Sequence, residues 1–218
     1  MVNNGLENIL CKLLPLPVYI CNEICLPKKE LMSLKEYIQR YIHLSEEEYT
    51  VFLSYLETQS FAPGAKLLAY EERCQSRFYI KKGCVRMYGY TEKGKEQIYH
   101  FGIDNWWISN YESLLNDTPS HLVIEAIEPT EVYGLTTPKF EELCLKIPKT
   151  ERLFRMIMER AYMAFQKRLE FLFSLSSEEQ YRHFIEANAA FTQRVPQYML
   201  ASYLGVTPEF ISKIRSKM

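Results

Sequence analysis

Residues 196–215 read Pro-Gln-Tyr-Met-Leu-Ala-Ser-Tyr-Leu-Gly-Val-Thr-Pro-Glu-Phe-Ile-Ser-Lys-Ile-Arg, and the order of residue types here decides how the chain ends. Ala201 is small where two helices must cross closely. Gly205 follows four residues later, where a tight turn needs a residue that tolerates a left-handed backbone. Val206 points an apolar side chain back under the turn. Thr207 can cap the next helix, and Pro208 suits its first position. Leu200, Leu204, Ile211 and Ile214 supply the core of the pair, so two short helices at this spacing read as a helix-turn-helix rather than an ordinary helical hairpin. The open face of the second helix is expected to carry Pro208, Glu209, Ser212, Lys213 and Ser216, flanked by Gln197, Thr207 and Arg215. A glutamate can accept from cytosine N4, and a lysine can donate to guanine O6 or N7. These eight residues are the candidate DNA contacts.

The charge pattern agrees. The 218-residue chain has a net charge of −1, which argues against nonspecific coating of nucleic acid. Residues 194–218, however, hold Arg194, Lys213, Arg215 and Lys217 against Glu209, a local excess of three positive charges that a dimer doubles.

Working outward, Ser177-Glu178-Glu179-Gln180 has the form of a capping box and starts a helix through Tyr181, Phe184 and Ile185. A long helix is expected over 150–173. Phe154, Ile157, Ala161, Ala164, Arg168 and Phe171 follow the 3-4-3-4-3 spacing of a coiled-coil seam. The opposite side carries Met158, Phe165 and Leu172, and two apolar faces need two things to pack against, so this helix reads as a dimerisation helix. Residues 138–145 read as a short helix.

Between Phe61 and about Thr137 the chain reads as short strands between turns such as Pro63-Gly64, Lys82-Gly83 and Thr91-Glu92-Lys93-Gly94. Gln97, Tyr99 and Phe101 alternate, and 121–128 and 131–136 are further strand-like runs. Many short strands at this spacing imply a sandwich or jelly roll. Before it, Leu34, Ile38, Tyr41 and Ile42 mark one helix, and Ser45-Glu46-Glu47-Glu48 caps another. Residues 1–31 read as an extension adding nothing to the fold, with Met32 as a candidate start; the alternative is an arm that packs on the roll or senses redox state through its three thiols. The fold class is therefore α+β: a β-roll with flanking helices at 32–147, a dimerisation helix at 148–173, and an all-α helix-turn-helix domain at 174–218.

Several chemistries find no support. His43, His100, His121 and His183 form no metal pair. No phosphate loop or nucleophile elbow appears, so an enzyme is not expected. Cys11, Cys21 and Cys25 lack iron–sulfur spacing, and the six cysteines form no dense disulfide framework, which fits a reducing cytoplasm. Cys74, Cys84 and Cys144 read as ordinary core or surface thiols. Trp106 and Trp107 read as core or seam residues that could line a pocket. Arg86 reads first as a surface residue, second as an effector contact. No run of about 18 apolar residues would span a bilayer.

With these motifs in place, the chain resembles the Crp/Fnr-type regulators, in the short form common in Bacteroidetes. The resemblance covers roughly 32–218 and rests on Lys82-Gly83-Cys84-Val85-Arg86, Gly94-Lys95-Glu96, Asn105-Trp106-Trp107, Arg194-Val195-Pro196 and Ala201 to Thr207. It implies a cyclic-nucleotide-binding-like roll, a homodimer, a pseudo-palindromic double-stranded DNA site and RNA polymerase as a further partner, with no membrane. A sensor or scaffold acting through protein contacts is the alternative. Members that bind cyclic AMP place Gly-Glu where Ser109-Asn110 stand here, and Arg followed by Ser or Thr where Ser120-His121 stand. The ribose-binding Glu and the phosphate-binding Arg are thus missing, and a buried phosphate without a cation is expensive. Cyclic AMP is therefore doubtful and the effector unknown; Arg86, Ser109, Asn110, Ser120 and His121 are the candidate pocket. Winged members add a hairpin after the recognition helix. Here the sequence stops at Met218, so contacts are expected from the helix, its flanks and the dimer partner.

Overall fold

The computed structural model describes residues 32–217. The expectations for 1–31, including those for Cys11, Cys21 and Cys25, lie outside the described residues.

Two helices open the described chain, α1 (Leu34–Gln39) and α2 (Glu46–Ser54). Ser45 and Glu48 form the expected capping box at α2, and Ser33 with Glu36 forms another at α1. Eight strands follow: β1 (Glu57–Phe61), β2 (Lys66–Leu68), β3 (Ser76–Lys82), β4 (Cys84–Tyr90), β5 (Glu96–Ile103), β6 (Trp106–Ile108), β7 (Leu122–Ala126) and β8 (Thr130–Thr136), with α3 (Tyr111–Asn116) between β6 and β7. They form two antiparallel four-stranded sheets, in the orders β1-β8-β3-β6 and β2-β7-β4-β5. The first strand begins four residues before the expected start at Phe61. Its polar sequence, Glu57-Thr58-Gln59-Ser60, hides it, because β1 is a sheet edge with little buried surface.

Ile80, Val85, Ile124 and Val132 fill the space between the sheets and are fully buried. Gly83 connects β3 to β4 at φ +121°; a Cβ there would lie 2.5 Å from the Thr130 hydroxyl oxygen, so the turn accepts no side chain. β5 departs from simple alternation. Met87 pairs with His100 and Tyr88 with Ile98, which leaves Tyr99 as the extra residue of a bulge. The buried positions are therefore Ile98 and Phe101, while Tyr99 is exposed, rather than Gln97, Tyr99 and Phe101 sharing a face.

Helix α4 (Thr137–Lys146) leads into the long helix α5 (Lys149–Ser174). Near its start, Phe154 packs edge-on against Trp107 and Phe140, with ring centres 4.9 and 5.0 Å away, over a core that includes Tyr79 and Leu135. Four helices end the chain: α6 (Ser177–Ala187), α7 (Ala189–Thr192), α8 (Gln197–Leu204) and α9 (Pro208–Arg215). The cap of α6 is Ser176 with Glu179, one residue before the expected Ser177. This C-terminal unit shares a core with the roll: Ile98 and Phe101 of β5 lie in one apolar cluster with Phe184, Phe191, Tyr203 and Ile211. Phe101 sits 5.2 Å from both the Phe191 and Tyr203 rings.

Candidate nucleic-acid interface and effector cavity

The two C-terminal helices form as their residue types require. Gly205 ends α8 in the left-handed conformation, φ 69° and ψ 26°. The Thr207 hydroxyl accepts the Phe210 amide at 3.2 Å, and Pro208 occupies the first turn of α9. Ala201, Leu200, Ile211 and Ile214 are buried. Thr207, Pro208, Glu209, Ser212, Lys213, Arg215 and Ser216 are all exposed, and Gln197 is half-buried at the start of α8. The eight candidate DNA contacts thus lie on or beside one turn and the helix after it. The Glu209 carboxyl is held below its usual range by hydrogen bonds from its own amide and from Thr207, so it is an anion at neutral pH. Arg194 stands apart from this face. It pairs with Asp104 at 2.6 Å and Glu128 at 2.5 Å; burial opposes its charge, but the two carboxylates outweigh that and hold it protonated. It ties the C-terminal unit to the roll, so the free excess on the helix face is two charges rather than three.

The five residues read as an effector pocket are not brought together around one space. Asn110 donates to the Ser120 hydroxyl at 2.6 Å. Ser109 donates to the Ser76 carbonyl at 3.1 Å, and all three are buried. These bonds, one between Asn110 and Ser120 and one from Ser109 to Ser76, occupy the three side chains. His121 is exposed beside Glu112. Arg86 is neither a surface residue nor part of this group: it is 7% exposed, bonds Glu125 at 2.8 Å and Glu96 at 2.6 Å, and lies 4.2 Å over the Tyr88 ring. Two carboxylates take up its guanidinium through three hydrogen bonds, because a buried cation must be matched.

The roll does have a cavity, and of these five residues Ser109 alone lines it. A space of about 480 Å³ lies between β5, β6 and α5, lined by Tyr99, His100, Trp106, Trp107 and Ala164 among others. His100 is pushed down to about 4, first by burial and then by the Arg168 cation, so it is neutral at pH 7. Arg168 reaches from α5 to the Tyr99 carbonyl of β5 and to the Tyr203 carbonyl of α8, the latter at 3.2 Å, and its guanidinium lies 4.0 Å over the Tyr203 ring. Ser202 covers the free edge of β5: its hydroxyl accepts the Ile98 amide at 3.0 Å and donates to the Glu96 carbonyl at 3.2 Å, while Gln97 reaches the Ser202 carbonyl. Sequence reading missed His100 and Ser202 as functional. For Arg168 a signal existed: it is the one charged residue in an otherwise apolar six-residue seam.

Cys74, Cys84 and Cys144 are buried free thiols, and burial raises the Cys84 thiol to about 12. Among the described residues no group of His, Cys, Asp and Glu could hold a metal ion, and no helix is long and apolar enough to cross a membrane.

Comparison with known proteins fits this architecture. Residues 58–146 match the cyclic nucleotide-binding domain family. Over 151 residues, 64% of its length, the chain is 24% identical to the transcriptional activator protein Anr of Pseudomonas protegens. Over 162 residues it is 23% identical to the transcriptional activator protein FnrA of Stutzerimonas stutzeri. These matches span 61% and 66% of the two relatives. Among solved structures, FixK2 of Bradyrhizobium japonicum is 18% identical with a TM-score of 0.62, over 74% of this chain and 83% of that one. A CooA mutant of Carboxydothermus hydrogenoformans is 15% identical with a TM-score of 0.64, over 89% and 86%. Residues 58–146 thus carry a cyclic nucleotide-binding-type domain, and the order of elements around it is similar to that of these regulators.

Proposed function

We propose that the chain is a sequence-specific DNA-binding transcriptional regulator that works as a homodimer in the cytoplasm. The observation that carries this is the turn at Gly205: it sets α9 so that Ile211 and Ile214 face the core while Glu209, Ser212 and Lys213 face outward. A helix so presented can enter a major groove. The relatives named as transcriptional activators support the same reading, with RNA polymerase the onward contact.

The dimer forms through α5. Met158, Tyr162, Phe165, Leu169 and Leu172 are large, exposed and spaced 4-3-4-3. That is an exposed stripe with coiled-coil spacing, four of whose residues also border the cavity. A two-fold dimer then pairs with a pseudo-palindrome whose half-sites lie about one helical turn, or a multiple of it, apart. Effector control acts through the roll. Cyclic AMP is not the effector, because Asn110 and Ser120 satisfy each other where a ribose and phosphate would need charged partners. Selection of duplexes from a random pool tests the reading: an enriched two-fold-symmetric site supports it, and a pool without enrichment overturns it.

A further inference from the structure

The C-terminal helices enclose a pocket of their own. A space of about 550 Å³ lies between α6, α7 and the start of α8, with Arg215 at the end of α9 on its rim. That volume falls in the range of small-molecule sites, about 300–1,000 Å³. The floor is apolar: Tyr181, Val195 and Leu200 are buried beneath it, and Ile185 is half-buried.

Two opposite charges border this floor, the Glu186 carboxylate and the Arg215 guanidinium. Both side chains are exposed, and neither has an ion pair with any described residue, the other included. Their neighbours in sequence are committed elsewhere: Arg182 pairs with Glu178, and Arg194 with Asp104 and Glu128. The Arg215 cation opposes the rise that burial causes at the Tyr181 hydroxyl, so its charge reaches the floor as well as the rim. Gln193 and Gln197 add two side-chain amides without a partner among the described residues.

These walls select by charge. A simple anion meets Glu186, a simple cation meets Arg215, and a neutral apolar molecule leaves both unmatched. A small zwitterion with an apolar side chain satisfies all three features. Charge-assisted hydrogen bonds are the stronger kind, but at exposed positions water and salt screen them. Affinity therefore needs both ends and the floor together.

We propose that this pocket binds an apolar α-amino acid, with its carboxylate on Arg215, its ammonium on Glu186 and its side chain on the floor of Tyr181, Val195 and Leu200. Gln197 and Arg215 are also candidate DNA contacts, so an occupied pocket engages two groups of that face. The site is separate from the effector control assigned to the roll and does not rest on it.

Calorimetric titration of the full chain tests this with L-leucine and L-phenylalanine, and with three analogues. Leucinamide lacks the carboxylate, isocaproate lacks the ammonium, and glycine lacks the apolar side chain. The expected result is saturable binding of leucine or phenylalanine, one per chain, with each analogue at least tenfold weaker. Arg215→Gln should lower leucine to the level of leucinamide, and Glu186→Gln should lower it to the level of isocaproate. Ala189→Trp, at an exposed position on the pocket wall, should abolish binding. All three positions are exposed, and unchanged melting curves show that the variants fold. No saturable binding of either amino acid overturns the proposal. So does equal affinity for leucine and one of its analogues, or binding that survives Ala189→Trp. Duplex selection decides the regulator reading separately, because the titration contains no DNA.

Discussion

The two faces of α5 carry nearly the same pattern of residues and do different work. On one face Leu153 and Phe154 are buried against Trp107, Phe140 and the roll. On the other, Phe165 is 55% exposed and Tyr162 62%. The seam at 154, 157, 161, 164, 168 and 171 has heptad spacing, yet it turns toward the chain's own roll and cavity. The stripe at 158, 162, 165, 169 and 172 has the same spacing and is exposed, with Met158, Phe165, Leu169 and Leu172 on the rim of the same cavity. Periodicity reports that a face wants burial; it does not report what buries it.

Breaking the inner face should cost most. Phe154→Ala removes a ring packed against two others, and about 3–5 kcal/mol of unfolding free energy should go with it. Urea melts of the variant check this; a loss under 1 kcal/mol would mean the inner face is not where α5 is anchored. Breaking the outer face should leave the fold and cost association. Phe165→Glu places like charges across a two-fold stripe and should weaken dimerisation by about 2 kcal/mol or more, roughly thirtyfold, with an unchanged melting curve for the monomer. Ala164→Glu, one residue round and less exposed than Phe165, should disturb the cavity that both residues line and spare the dimer. Sedimentation of both variants sharpens the contrast; if Ala164→Glu is the one that dissociates, the faces are assigned the wrong way round.

A third prediction uses His100, between the inner face and the roll. Its folded value lies near 4 against 6.5 for the ordinary imidazole, through burial and the facing Arg168 cation. The unfolded chain therefore binds more protons between those values, and stability rises with pH across the window. The contribution is complete above about 6.5 and falls by about 2–3 kcal/mol as pH drops toward 4. His100→Leu should flatten that part of a stability–pH profile; an unchanged slope would place the titration elsewhere. The smallest effect belongs to the far end of the chain. Lys213→Ala should cost about 1–3 kcal/mol of specific DNA binding and relax base preference at one position per half-site. Competition binding with altered half-sites reads it, and unchanged preference would remove Lys213 from the interface.

What was legible in the sequence follows from how local each cause is. The turn at Gly205, the Thr207 cap and the outward set on α9 depend on neighbours within a few residues, and they fold as read. The strand-like runs at 85–90, 121–128 and 131–136 and the long helix were legible for the same reason. Arg86 was not: its place is set by Glu125, thirty-nine residues away and on another strand. Arg194 was counted toward a DNA surface, but Asp104 and Glu128 of the roll claim it. The bulge at Tyr99 adds one residue with no Gly or Pro to announce it, and it decides which side chains of β5 face inward. The cavity needs β5, β6 and α5 together, so no local stretch could show it.

One further consequence belongs to Ser202. By bonding the Ile98 amide and the Glu96 carbonyl it gives β5 a neighbour on a side where no strand sits. If the helix-turn-helix swings away to read DNA, that strand is left with bare donors and acceptors, a template for pairing with any extended chain nearby. The reading state therefore carries an aggregation hazard that the docked state lacks. It also opens a route to exchange, in which α8 of one copy settles on β5 of the other and the two subunits become linked at a second place.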